Sequence, residues 1–258
     1  MHAEIHRELP YRVISLYPKK ELLEFLLLAM VHPKWREKLK IRANRIDWLK
    51  EWMDTPDDTK HGSAVRNDHS YKLKKVGNRF ELVFAKSKGE QATVVARLKY
   101  DARDVKEWMV EDEPRVCALE LAMCMHWVVD MSSPPHCYAD CDQDLHGEIE
   151  TDFDEFYAKE WPAIEGQVKF TGRKGLISDI YRWAKAYIES TYGQNEALIG
   201  AYKSGKSLKD PDVAEMGRQV LKGMGQNVAD FLIFTDGRIK FEKAYESLKE
   251  QTALLENQ

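Results

Sequence analysis

Residues Ala118–Tyr157 read ALELAMCMHWVVDMSSPPHCYADCDQDLHGEIETDFDEFY, and the rest of the chain is organised around them. His126 and Asp130 stand one helical turn apart, a Ser-Ser-Pro-Pro break follows, and His136 comes next. A second one-turn pair, His146 and Glu150, lies further on. Residues four apart share a face of an α-helix, so each pair can offer an imidazole nitrogen and a carboxylate oxygen to one cation. Those donors suit Zn²⁺. The two prolines end the first helix and are expected to set His136 on a loop beside it. The stretch thus predicts two neighbouring metal sites.

The competing reading is a set of ion pairs, since a single His-x3-Asp or His-x3-Glu is common by chance. The surroundings of the first pair bear on the choice. Leu119, Leu121, Ala122, Met123, Met125, Trp127, Val128 and Val129 make its helix apolar on most sides. An acid in that setting needs a partner, because burying bare charge is costly. Either a metal or a buried ion pair meets the need.

The chain has 258 residues, enough for one large domain or two small ones. A hydrophobic fraction of 43% and a charged fraction of 32% are those of a soluble globular protein. The net charge of −4 gives no global attraction to nucleic acid or an anionic membrane. The longest apolar run, Leu22–Val31, is interrupted by Glu24 and reads as a core helix rather than a membrane span. Cys117, Cys124, Cys137 and Cys141 form no CxxC pair, which argues against a zinc ribbon and leaves disulfides or reduced thiols open. The N-terminus shows no secretory signal, so localisation stays undecided. A soluble cytoplasmic protein is expected, or a secreted one if Met1 is an added initiator.

The segment H-W-V-V-D-M-S-S-P-P-H resembles the H-x3-D-x5-H core of the zinc-dependent phospholipase C and S1/P1 nuclease superfamily. There a second H-x3-E or H-x3-D pair follows, which His146-Gly-Glu-Ile-Glu150 matches. The resemblance implies a single multi-helix, mainly α domain over residues 1–258, carrying up to three zinc ions and cleaving phosphodiesters. Family members are typically exported, which favours the secreted form. The loop between His136 and His146 is shorter than in either branch.

The resemblance also assigns roles. The stretch Trp52–Tyr71 places Asp54 after a tryptophan and His69 further on, in the family's order, with Asp57, Asp58 and His61 as competitors. Asp54, His69, His126 and Asp130 would hold the first zinc, and His136, His146 and Glu150 the second. Asp130 would bridge to a third ion held by Met1 and His6. The alternative for Met1–Tyr17 is a loose tail with exposed His2 and His6. The family's N-terminal Trp is absent. Catalysis would run through a metal-activated hydroxide, oriented or deprotonated by Asp54.

Elsewhere the pattern is helical, with one exception. Lys20–Val31 and Trp35–Met53 carry apolar residues at helical spacing. Between Tyr71 and Tyr100, Phe80, Leu82 and Phe84 alternate with Glu81 and Val83, and Thr93, Val95 and Arg97 with Val94, Ala96 and Leu98. With turns at Val76-Gly77-Asn78 and Ser87-Lys88-Gly89, this predicts a small inserted three-stranded antiparallel β-meander at about 71–100. Its cations, among them Lys72, Lys74, Lys75 and Arg79, make a positive surface, either a solvated face or a contact for a phosphate-bearing substrate. A short helix is expected over Asp101–Met109. Pro114 should open the central helix, which is followed by the second metal helix to about Trp161 and a loop over Pro162–Gly175. Helices are expected over Leu176–Tyr192, Asp212–Thr235 and Ile239–Glu256. Gly217, Gly223 and Gly225 imply close packing or a kink.

The functional expectation is a zinc-dependent phosphodiester hydrolase on the phospholipase C side, because the second pair ends in Glu150 and the chain is acidic. Its partner would be a phospholipid or nucleic-acid phosphodiester; the oligomeric state is open. A single-strand nuclease or nucleotidase is the alternative, with Tyr71, Tyr138 and Tyr157 as candidate base-stacking residues. A non-catalytic metal-bound scaffold is the alternative from another class.

Overall fold

A computed structural model describes residues 4–30, 45–54, 71–83, 93–110, 113–171, 179–236 and 241–256. The architecture is mainly helical with one small antiparallel sheet. In chain order the elements begin with α1 (Ile5–Leu16), α2 (Lys20–Ala29), α3 (Arg45–Asp54), β1 (Lys72–Val76) and β2 (Arg79–Val83). They continue with α4 (Val94–Val110), α5 (Pro114–Asp130), α6 (Pro134–Cys137), α7 (Gln143–Ile164), α8 (Ile180–Lys203), α9 (Pro211–Asp236) and α10 (Phe241–Glu256).

The middle of the bundle is α5. Pro114 occupies its first turn, where a missing N–H costs nothing, as the sequence predicts. Cys117, Ala118, Leu121, Ala122, Cys124, Met125, Val128 and Val129 are all fully buried. A helix apolar on every side needs neighbours on every side. Here α1, α2, α3, α4, α9 and α10 all pack against it.

Three expectations are corrected. The predicted third strand of the meander is the start of α4, so the described sheet is a two-stranded hairpin, β1 against β2. Thr93 explains the change: its Oγ1 accepts from the Ala96 N–H at 3.3 Å, a local cap that starts a helix. Val94, Val95, Leu98 and Ala102 then line the buried side. Their β-branched alternation looks like a strand, but the longer spacing is helical. His136 lies within the single-turn helix α6 rather than on a loop. The alternative of a loose tail does not hold for residues 4–17, where α1 buries Ile5, His6, Leu9, Pro10, Val13 and Ile14; His2 lies outside the described residues.

Other boundaries shift by a few residues. Pro162 sits inside α7, which runs to Ile164 and then a 3-10 turn, Glu165–Gln167. The Asp210-Pro211-Asp212 signal opens α9 as expected. Within α9, a Cβ on Gly225 would run into the Trp161 ring and one on Gly217 into Leu208 and Phe156, so both glycines serve close packing. Gly225→Ala is therefore expected to lower the unfolding free energy by about 1–3 kcal/mol, because an aromatic ring yields less easily than an aliphatic tip. Urea denaturation reads this as a lower midpoint at unchanged slope. An unchanged midpoint would mean that Trp161 moves aside at no cost.

Candidate metal centre

Four helices deliver the ligand-type side chains to one place. The last turn of α5 supplies His126 and Asp130, both with 0% exposure. Their one-turn spacing puts His126 Nε2 3.4 Å from Asp130 Oδ2. The Trp127 ring meets His126 edge-on at 5.3 Å, and its Nε1–H donates to Asp101 on α4.

A contact remote in sequence brings in α1. The first N–H groups of a helix lack partners within it. That of Ile5 donates to Asp154 Oδ1 on α7 at 2.9 Å. A carboxylate at a helix N-terminus also meets the positive end of the helix dipole. The next residue, His6, is thereby placed with Nε2 3.3 Å from Asp130 Oδ1.

The turn between α5 and α7 carries His136. Ser133 is extended (φ −86°, ψ 125°), as a residue before proline must be, and Pro134 starts α6. His136 Nε2 then lies 3.7 Å from Asp130 Oδ1 and 3.0 Å from Glu150 Oε1. The backbone here is tied to the hairpin: Tyr71 N–H donates to His136 O at 2.9 Å, and Ala139 N–H to Leu73 O at 3.1 Å. At the head of α7, Asp142 accepts from the Leu145 N–H at 2.9 Å, an N-cap that fixes the helix start. One turn on, His146 Nε2 is 2.9 Å from Glu150 Oε1.

The six side chains form a continuous row. Two groups of three have ligand atoms all within 4.8 Å of one another: His6, Asp130 and His136, and His136, His146 and Glu150. His136 belongs to both. Its ring centroid is 4.5 Å from that of His146 and 6.0 Å from that of His6. Buried His, Asp and Glu groups of this kind can hold a metal ion.

The spacing supports that use. Two ligands of one tetrahedral zinc, each at about 2.0–2.1 Å, stand about 3.3–3.5 Å apart. The separations of 3.3, 3.4 and 3.7 Å around Asp130 bracket that value. The 3.0 and 2.9 Å separations at Glu150 are hydrogen-bond lengths, so a cation there requires the pairs to open by a few tenths of an ångström. Burial opposes ionisation of Glu150. Hydrogen bonds from His136 and His146 outweigh it and hold the carboxyl well below the ordinary carboxylate range. Burial also pulls His146 down, toward the neutral imidazole that a metal binds, against the hydrogen bond to Glu150.

The remaining expected residues fall in different places. Asp54, on α3, faces Arg7 of α1, with Oδ2 3.9 Å from Arg7 Nε, and belongs to neither group of three. Met1 and His69 lie outside the described residues, as do Asp57, Asp58 and His61. The four cysteines are buried and form no disulfide with one another. Burial pushes Cys117 up to about 12 and Cys141 up to about 11, far from the thiolate form.

Sequence reasoning missed Asp154, although it sits one turn beyond Glu150 on the stripe that begins at His146. It also missed Asn227, whose Nδ2 donates to Ser132 Oγ at 2.7 Å and to Val128 O at 3.4 Å. That buried amide pins the end of α5 from α9, and no local pattern announces it. Beside Glu150 a cleft of about 480 Å³ opens, lined by Gln143, Gly147, Glu148, Thr151, Asp152 and Asp154.

No protein-family model matches the chain, and no curated protein gives a significant match. No described helix is long and apolar enough to cross a membrane. Fold and site together define a mainly helical protein with adjoining His/Asp/Glu groups able to hold metal ions. Removing the α1 tether tests how those groups are built. Asp154→Ala is expected to cost about 1 kcal/mol, as for a lost helix cap. It should also weaken zinc binding at His6–Asp130–His136 while sparing His136–His146–Glu150. Calorimetric titration with zinc, resolving two classes of site, checks this; equal weakening of both would contradict it.

Proposed function

We propose that this chain is a zinc-dependent phosphodiester hydrolase of the phospholipase C type. One observation carries the reading: the two ligand groups meet at His136, whose Nε2 lies 3.7 Å from Asp130 and 3.0 Å from Glu150, so cations held at the two carboxylates would be neighbours able to act on one substrate. Paired cations at short range suit displacement at phosphorus, where attacking and leaving oxygens both need stabilising. In this proposal His126 with Asp130, Asp54 and His69 forms the first site. His136, His146 and Glu150 form the second, and Met1 with His6 completes a third around Asp130. The likeness of the His126–His136 segment to the phospholipase C and S1/P1 nuclease core supports the same assignment.

Zinc, when bound, supplies a Lewis acid and a nucleophile at neutral pH. The chain's own residues do the positioning. Asp130 and Glu150 offset the charge of the cations, and the imidazoles fix their places. The Tyr71 N–H and the extended Ser133 hold the His136 turn, and the Asp142 cap holds His146. Such supporting contacts decide whether ligands are rigid enough to be useful. The cleft beside Glu150 admits substrate. Asp54 also keeps the part of an orienting carboxylate; Asp54→Asn is expected to lower kcat, and zinc content measured alongside separates that part from its part as a ligand.

Zinc-loaded protein is expected to carry at least two ions per chain by elemental analysis and to hydrolyse phosphatidylcholine, with activity lost on chelation. His136→Ala should lower zinc affinity at the His136–His146–Glu150 site by at least about 10–100-fold and abolish hydrolysis. Hydrolysis of single-stranded DNA in place of phosphatidylcholine would move the chain to the nuclease branch. Full zinc loading without hydrolysis of either substrate, or of an aryl phosphodiester, would leave a metal-bound scaffold. Retention of both ions by His136→Ala would remove the basis of the proposal.

A further inference from the structure

Four large apolar side chains are exposed among the described residues: Leu16, Val76, Phe80 and Val83. Three of them fall on the hairpin Lys72–Val83. The same segment carries Lys72, Lys74, Lys75 and Arg79 against a single carboxylate, Glu81, in a chain of net charge −4. Soluble surfaces scatter apolar residues singly, so their concentration in one cationic element is informative.

The strand register sorts these residues by face. Lys72 pairs with Val83, Lys74 with Glu81 and Val76 with Arg79, and directly paired residues share a face. Leu73, Lys75, Phe80 and Leu82 share the other. That second face is the one that meets the protein body: Leu73 is buried, Leu82 packs on the core, and the Phe80 ring lies 5.0 Å from Tyr192 on α8, although Phe80 and Lys75, next to the tip, remain exposed. The first face therefore points outward. Lys74, Val76, Arg79, Glu81 and Val83 are exposed on it, around a tip where Gly77 takes the left-handed conformation (φ 59°). Lys72 is half-buried and its Nζ donates to Cys141 O at 2.6 Å.

We propose that this outward face docks on an anionic lipid bilayer. Cations complement the lipid headgroups, and aliphatic side chains between them reach the acyl boundary. A nucleic-acid backbone would use the cations but leave Val76 and Val83 without a partner. Stacking bases requires free aromatic faces, whereas Phe80 packs on Tyr192 and Tyr192 on Tyr138 at 5.5 Å. The hairpin is bonded through Tyr71 and Leu73 to the His136 turn, so docking would bring the candidate metal centre to the membrane surface. The binding claim stands by itself; only its bearing on substrate delivery rests on the function proposed above.

Co-sedimentation of the zinc-loaded protein with vesicles tests the claim. The protein is expected to bind phosphatidylcholine vesicles containing phosphatidylserine, more weakly at high salt, and not pure phosphatidylcholine vesicles. Lys74→Glu/Arg79→Glu and Val76→Asp/Val83→Asp should each weaken binding by at least about tenfold. Unchanged thermal melting and unchanged hydrolysis of a soluble aryl phosphodiester would show that these variants keep their fold and site. Absence of vesicle binding by the parent protein, or binding that survives both double variants, overturns the proposal. Binding to single-stranded DNA that the charge variant alone abolishes, without vesicle binding, overturns it in favour of nucleic acid. Vesicle binding in a protein inert on every substrate would leave docking intact and sink only the enzymatic reading.

Discussion

Asp130 is a carboxylate in the worst place for one. It is wholly buried, and it ends α5, where the helix dipole presents its negative pole. Burying a bare charge there would cost several kcal/mol, so the neighbouring elements must bring partners. They bring two imidazoles, His6 from α1 and His136 from α6, which join His126 one turn earlier on α5 itself, all with Nε2 within 3.7 Å. The placing of α1, the proline turn and the start of α7 around the end of α5 can be understood from this one requirement.

The supporting bonds serve the same constraint from further out. Asp154 captures the first turn of α1, Asn227 holds the final turn of α5 through Ser132, and the hairpin clasps the backbone at His136. Each joins elements far apart in the chain, so the ligands are placed by the packing of the bundle and not by local turns alone. Side chains fixed in this way lose little freedom on taking up a cation, which is what a preorganised site requires.

The surroundings of the candidate centre differ in charge. The cleft beside Glu150 is lined by Glu148, Asp152 and Asp154, and the hairpin bonded to the His136 turn carries Lys74, Lys75 and Arg79.

Much of this was legible in the residues themselves. The apolar run of α5, its opening proline, the one-turn pairs and the break at Ser-Ser-Pro-Pro all depend on contacts within a turn or two, and sequence records such contacts directly. The His146–Glu150 pair was legible for that reason, while joining His136 to it came from the resemblance. Local reading failed at Thr93, where β-branched residues imitate a strand and the cap together with burial against α5 makes a helix. That His6 joins Asp130 was implied by the resemblance and not by any local pattern; that one histidine adjoins two groups, and that Asp154 is the tether, were decided only by the tertiary structure. Those distances depend on how buried faces of remote helices pack, and no spacing along the chain encodes them.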